Sequence, residues 1–386
     1  MLSDAPEPAW PRVLGQERVK ALLGSALRSG RLAHSYLFHG PEGVGKDAMA
    51  LELGRVLHCA GGTMEACGEC PSCIALDTMQ HPDILLVTAL PVGRNEESWD
   101  PPLEKLTPPD LAAVQEEYRR KGANPYHRVA VPRATVIKIN SIREIRRQAS
   151  LSTLDGKRRV VIISHAEEMG AEAENTLLKT LEEPFARTML ILTTAHRDAL
   201  LPTIISRCQT VRFDPIPDLV IARALGERTP LNPAEALLLA RLSGGSFARA
   251  LELTEEDVAR LRNEVAPFVR AVLWTDIPGL VRLIEGLSGG RDRRKVARFL
   301  EFLLAWFRDA LVLSHGGAIL SGDQEEDLKK FVENFGGADL AGIIPEVERA
   351  IFLLERNVYI KLVLLHLSVR LRRLLMPHRR GGTTHP

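Results

Sequence analysis

The stretch Tyr36-Leu37-Phe38-His39-Gly40-Pro41-Glu42-Gly43-Val44-Gly45-Lys46-Asp47 decides the fold. Its first three residues are an apolar run of strand type, and residues 46 to 57 read as a helix. Between them Gly40, Gly43, Gly45 and Lys46 give the spacing GxxxxGK. A strand, a glycine-rich loop and a helix in that order place backbone N–H groups and one lysine around phosphate. The next residue should be Ser or Thr, whose hydroxyl holds Mg²⁺. Here it is Asp47. Two negative groups about 4 Å apart repel by about 1–4 kcal/mol, according to the local dielectric. The chain is either a working ATPase with an altered metal site or a former one.

The rest of the first half is read outward from this loop. Residues 15 to 29 form an amphipathic helical pattern, with Val19, Leu22, Leu23, Ala26 and Leu27 on one side. Apolar runs at 83–87, 135–139, 159–163, 188–193 and 210–213 have strand length. Helices are expected at 171–183 and 202–207, and another up to 150 behind a capping box of Ser141 and Glu144. Continuous apolar strands alternating with helices imply an α/β fold, a parallel sheet covered on both faces. Residues 91–133 differ. They carry Pro91, Pro101, Pro102, Pro108, Pro109, Pro125 and Pro132, and read as a surface insertion with a short helix over 109–120. After Asp214 the strands cease. A helical pair is expected over 233–254 around Gly244-Gly245-Ser246, then longer amphipathic helices to residue 376, including 294–313 and 358–375. A disordered tail is expected at 377–386.

A P-loop ATPase needs a second strand that ends in carboxylates, the first for Mg²⁺ and the next to orient the attacking water. The strand at 159–163 is followed by Ser164-His165 instead. Serine brings no charge to a metal shell. Histidine titrates near neutrality but does not replace a carboxylate's charge. Glu167 and Glu168 come later and are expected to cap the helix that follows. Both halves of the metal site are altered, which argues against hydrolysis. Nucleotide binding without hydrolysis stays open.

At 386 residues, 45% hydrophobic and 26% charged, the chain has the make-up of a globular protein of two or three domains. A net charge of +1 gives no overall field that would mark a nucleic-acid binder. No apolar run reaches the length of about 18 residues that suggests a membrane span. The first residues lack a signal pattern, so a cytoplasmic location is expected. Cys59, Cys67, Cys70 and Cys73 cluster, while Cys208 stands apart. Clustered thiols in a long intracellular chain favour metal over disulfides. Their spacing offers four thiolates to one tetrahedral, structural Zn²⁺, with iron–sulfur ligation as the alternative.

Several stretches together resemble the bacterial clamp-loader AAA+ family, in particular the delta-prime subunits of DNA polymerase III. They are Gly15-Gln16-Glu17, the segment from Leu32 to Gly40, the cysteine cluster, the segment from Asn175 to Pro184, and the segment from Leu201 to Cys208. From residue 258 onward the likeness is only that of a helical domain with Arg356-Asn357 before the last helix. The resemblance implies an AAA+ P-loop domain over 1–214, with a zinc module at 59–73 and the insertion at 91–133. It implies a small helical lid over 215–257 and a helical collar over 258–376. It also implies partners: the gamma/tau motor subunits and a delta subunit, and through the complex the sliding clamp and primed DNA. Alone, an arginine in Ser206-Arg207-Cys208 would be an ordinary surface cation. In such a ring, Arg207 is expected to act in trans, on a neighbour's ATP.

Motor subunits keep the P-loop Thr, the Asp-Glu pair and an arginine after Gly-Ser in the lid. Here Ala248 stands at that last position, and Arg249 is one place off, about 100° round a helix. The implied role is therefore a non-hydrolysing subunit whose Gly40, Gly43, Gly45 and Lys46 keep the loop while Asp47 departs from it. Its rivals are an active gamma/tau-type ATPase with Asp47 as Mg²⁺ ligand and a zinc-centred interaction scaffold outside replication. Residues 91–133 exceed the family pattern, and no function is read for them.

Overall fold

The computed structural model describes residues 10–61, 65–150, 157–254, 256–274, 277–289, 292–317, 319, 324–356 and 358–376. The expected tail at 377–386 and Asn357 lie outside them. The chain forms two compact units, Met1–Ala224 with Ser243–Ala250, and Leu225–Leu242 with Leu251–Pro386.

In chain order the first unit contains α1 (Glu17–Arg28), β1 (Ser35–His39), α2 (Lys46–His58), α3 (Pro71–Asp77), β2 (Ile84–Val87) and α4 (Pro108–Ala123). Then follow α5 (Ile139–Ala149), β3 (Arg159–Ile163), α6 (Ala171–Glu182), β4 (Thr188–Thr194), α7 (Pro202–Arg207) and β5 (Gln209–Arg212). The five strands make one sheet in the order β2-β3-β4-β1-β5. Every pairing is parallel, with Leu37 opposite Leu192 and Val161 opposite Leu190. Strands buried on both faces must be apolar throughout, and β3 and β4 are buried at every position. Leu37, Val161, Ile163, Leu190 and Leu192 join Ile142, Ile145, Leu177, Leu181 and Ile204 in one core. Alternate residues such as Tyr36, Phe38, Val160 and Ile191 point the other way and are fully buried too.

Two local expectations fail. Residues 135–139 form no strand; Ile137 makes one isolated bridge to Met169. The alternation of Ile137, Lys138 and Ile139 looks β-like, but Ile139, Ile142 and Ile145 also fit a helix, and α5 starts at Ile139. Ser141 therefore lies inside the helix, with its hydroxyl buried and unpartnered, and the capping box does not form. Glu144 bonds forward instead, to Arg147 at 2.8 Å and Gln148 at 2.7 Å.

The second half is helical, as the sequence indicates: α8 (Asp218–Arg228), α9 (Pro233–Leu242), α10 (Phe247–Glu252), α11 (Glu256–Asn263), α12 (Val265–Trp274) and α13 (Ile277–Ser288). The longer α14 (Arg293–Ser314), α15 (Glu325–Phe335), α16 (Leu340–Glu355) and α17 (Ile360–Leu375) follow. Trp306 and Phe307 of α14 meet Phe331 of α15, with ring centroids 4.7 and 6.0 Å apart. None of the described helices is long and apolar enough to cross a membrane.

Candidate functional site

The loop between β1 and α2 has its shape because glycine takes backbone angles that side chains resist. Gly40, Gly43 and Gly45 have φ of 146°, 73° and 103°. A Cβ on Gly43 would lie 2.1 Å from Ser246 Oγ. The loop's carbonyls are held by the chain itself. Lys46 Nζ donates to Gly40 O at 2.8 Å and Pro41 O at 2.6 Å. Gln16 Nε2 donates to Val44 O at 3.1 Å. The N–H groups of Phe247 and Ala248 donate to Gly43 O at 3.0 and 3.3 Å. Ala248, near the start of α10, thus meets the loop through its backbone. Burial lowers the pKa of Lys46, an effect opposed by the charges of Asp47, Glu167 and Glu42.

Asp47 is the centre of a polar cluster. Its Oδ2 accepts from Lys121 Nζ at 2.7 Å and from Ser164 Oγ at 2.7 Å. Its Oδ1 accepts from Thr193 Oγ1 at 2.6 Å. Two of the positions that depart from an ATPase in sequence, Asp47 and Ser164, are thus joined by a hydrogen bond. Burial pushes the Asp47 carboxyl up. The charges of Lys121 and His165 and the bonds from Lys121 and Thr193 outweigh it and hold the group well below the ordinary carboxylate range.

His165 takes a left-handed conformation, φ 53°, at the turn after β3. It sits beside Glu167, with Nδ1 to Oε1 at 3.9 Å. Glu167 and Glu168 do not cap α6, whose N-cap is Gly170. Glu167 accepts from Ala195 N at 3.1 Å, and Glu168 pairs with Arg128 at 3.2 Å. Burial raises the pKa of Glu167, but the neighbouring His165 and the hydrogen bond from Ala195 N help bring it down to about 2.

The segment 91–133 is not a bystander. Leu90, Val114 and Val131 form a small core of their own, and α4 runs longer than its expected 109–120. Three of its residues reach the loop. Lys121 pairs with Asp47, Arg128 with Glu42 at 2.5 Å, and the Tyr126 hydroxyl would be 3.0 Å from a Cβ on Gly45. Tyr126 also packs edge-on against Phe247, with centroids 4.9 Å apart. Lys121 and Thr193 are the members of the site that the sequence reading missed. Lys121 stands in a segment with many charges, and nothing in the sequence sets it apart.

Arg207 lies elsewhere. It ends α7, and its carbonyl accepts from Ser35 Oγ at 2.8 Å, at the start of β1. The phosphate loop follows the other end of that strand. Four strand rises, about 13 Å, separate Ser35 from His39. The Arg207 side chain is 36% exposed and pairs with Glu182 at 2.9 Å.

The four clustered sulfurs, of Cys59, Cys67, Cys70 and Cys73, lie within 4.8 Å of one another. Four sulfurs tetrahedrally about a zinc ion at about 2.3 Å would be about 3.8 Å apart, so little movement closes the set. Cys67 N and Gly61 N point at Cys59 Sγ at 3.3 and 3.4 Å, and Cys70 N at Cys67 Sγ at 3.4 Å. Such N–H groups favour thiolates, so the group fits a metal ion.

Comparison with known proteins agrees with this layout. A family described as "DNA polymerase III, delta subunit" matches residues 15–217, more than half of the chain. The chain is 34% identical to the DNA polymerase III subunit delta' of Bacillus subtilis over 242 residues, 63% of this chain and 60% of that protein. It is 33% identical to the corresponding subunit of Pseudomonas aeruginosa, over 64% of this chain and 63% of that one. It is 28% identical to the gamma/tau subunit of Mycobacterium tuberculosis, over 79% of this chain and 49% of that one. The matches thus span between about half and just under two thirds of these relatives. With a phosphate-loop motif, a parallel sheet, a cysteine cluster and a helical second half, and with the family match over 15–217, the chain belongs to the DNA polymerase III delta-prime family of clamp-loader subunits.

Proposed function

We propose that this protein is a non-hydrolysing, delta-prime-type member of a clamp-loader ring in the cytoplasm. It would help gamma/tau-type and delta subunits place the sliding clamp on primed DNA. The observation that carries this reading is the bonding of Asp47. Its carboxylate is engaged by Lys121, by Ser164 just after β3 and by Thr193 near the end of the neighbouring β4. A metal ion using Asp47 as its ligand, as an active gamma/tau-type site would need, competes with all three.

Arg207 supports the other half of the reading. It sits at the opposite end of β1 from the loop of its own chain, so a catalytic role for it is a role in trans. Its surface pair with Glu182 contributes at most about 1 kcal/mol and is readily exchanged for a phosphate. The four cysteines would hold a structural Zn²⁺ with no open coordination position.

The test is the ATPase rate of the reconstituted complex. Arg207→Ala should leave folding and assembly intact and lower the rate by about 10³ or more if the arginine stabilises transition-state charge. An unchanged rate overturns the trans role.

A further inference from the structure

We infer that Lys121 is a resident cation: its ammonium stands in for the divalent metal ion of an active phosphate loop and fastens segment 91–133 to that loop. The inference deepens the non-hydrolysing reading and rests on its assignment of the loop.

In a working P-loop the metal is held by the residue after the lysine and by the carboxylate at the end of a neighbouring strand. Here those places are taken by Asp47 and Ser164, and they converge on one another through Asp47 Oδ2. The Lys121 ammonium sits on that same oxygen at 2.7 Å. Its side chain is 3% exposed and that of Asp47 is 14%. A carboxylate so placed needs a positive partner, because an unpaired charge out of water is costly. A tethered ammonium supplies one at any Mg²⁺ concentration.

The sequence change from hydroxyl to carboxylate at Asp47 and the loss of the carboxylate at Ser164 then have one explanation. The carboxylate of the site stands at the start of α2 and not at a strand end. The cation has changed from a free ion to a side chain. Lys121 is held in turn by His127 O at 2.8 Å. Tyr126 and Arg128, next to that anchor, meet the loop at Gly45 and Glu42. One segment therefore touches the loop at three separate residues.

If the ammonium replaces a metal, removing it leaves a vacant site of one carboxylate and two hydroxyls, from Asp47, Ser164 and Thr193. Such hard oxygen donors suit Mg²⁺ or Mn²⁺. Thermal unfolding of the isolated full chain tests this with MnCl₂ and MgCl₂ as the probes. The wild type should show the same Tm with and without either salt. Lys121→Met should lose at least about 5 °C, as expected when one partner of a buried pair is removed. Millimolar Mn²⁺ should return at least half of that loss. The double variant Asp47→Asn/Lys121→Met, with no charge to satisfy, should be more stable than Lys121→Met alone and indifferent to both salts.

A Lys121→Met chain that matches wild type without salt, or that falls in Tm and gains nothing from Mn²⁺, overturns the inference. If Lys121→Met does not fold, recovery in the double variant supports it, and failure of both variants counts against it. None of these readouts involves Arg207 or a partner. A failure here leaves the trans role of Arg207 standing, and a failure of the ATPase test leaves the resident cation standing.

Discussion

Asp47 shows how a residue that would repel phosphate is made stable inside a loop built for it. Its charge is matched by Lys121, and both oxygens accept hydrogen bonds. Because these contacts favour the ionised form, its folded-state pKa lies below the ordinary value of 3.8. A carboxyl group with a depressed pKa adds stability that is complete above the unfolded-state value and is lost as pH falls through and below it. Asp47→Asn leaves the Lys121 charge buried without its counter-charge, at a cost of about 3–5 kcal/mol near neutrality. Urea unfolding of wild type and Asp47→Asn from pH 7 downward should show a wide gap that narrows below about pH 4. A gap constant across that range would mean that Asp47 titrates normally in the folded chain.

Gly43 gives a second test at the same scale. Its φ of 73° and the 2.1 Å approach of Ser246 Oγ to a built Cβ leave no room for a side chain. Gly43→Ala should therefore lower stability by about 1–3 kcal/mol, read from the midpoint of urea unfolding. A midpoint equal to wild type would show that the loop relaxes away from Ser246.

At the scale of elements, legibility followed periodicity. β1, β3 and β4 are continuous apolar runs between turns, and nothing else suits such runs in a sheet buried on both faces. α6 could be read from Leu177 and Leu181, and the cysteine cluster from its spacing alone. What failed was local or remote. Ile137-Lys138-Ile139 alternates like a strand, yet Lys138 turns to Glu96 at 2.5 Å and Ile139 opens a helix. The bond between Lys121 and Asp47 joins residues 74 apart in sequence. No period or spacing encodes such a pair, so segment 91–133 read as an appendage although it is part of the site.

The cysteine module makes a prediction at this scale. α3 begins directly after Cys70 and contains Cys73, and its end is held by Asp77, which Arg12 and Arg55 contact at 2.5 and 2.6 Å. A metal ion would tie the start of α3 to the end of α2 through Cys59. Cys73→Ser, or treatment with a strong chelator, should remove bound zinc as measured by atomic emission and make the 59–73 segment sensitive to protease. An unchanged metal content in Cys73→Ser would remove that thiol from the ligand set.

At the scale of the whole molecule, the first unit places the Asp47 cluster and Arg207 at opposite ends of one strand. Under the proposed function the two places do different work, and mutation separates them. In an active P-loop the lysine contacts phosphate, and its loss removes hydrolysis. Here Lys46 donates to Gly40 O and Pro41 O and so braces the loop. Lys46→Ala should lower the stability of the isolated chain by about 1.5–3 kcal/mol, the range for hydrogen bonds to a charged group. It should change the ATPase rate of the assembled complex by no more than about twofold, in contrast to the steep loss expected for Arg207→Ala. If Lys46→Ala instead reduces the rate as much as Arg207→Ala does, at equal assembly, the loop is hydrolysing ATP in cis. The subunit would then be a motor despite Asp47 and Ser164.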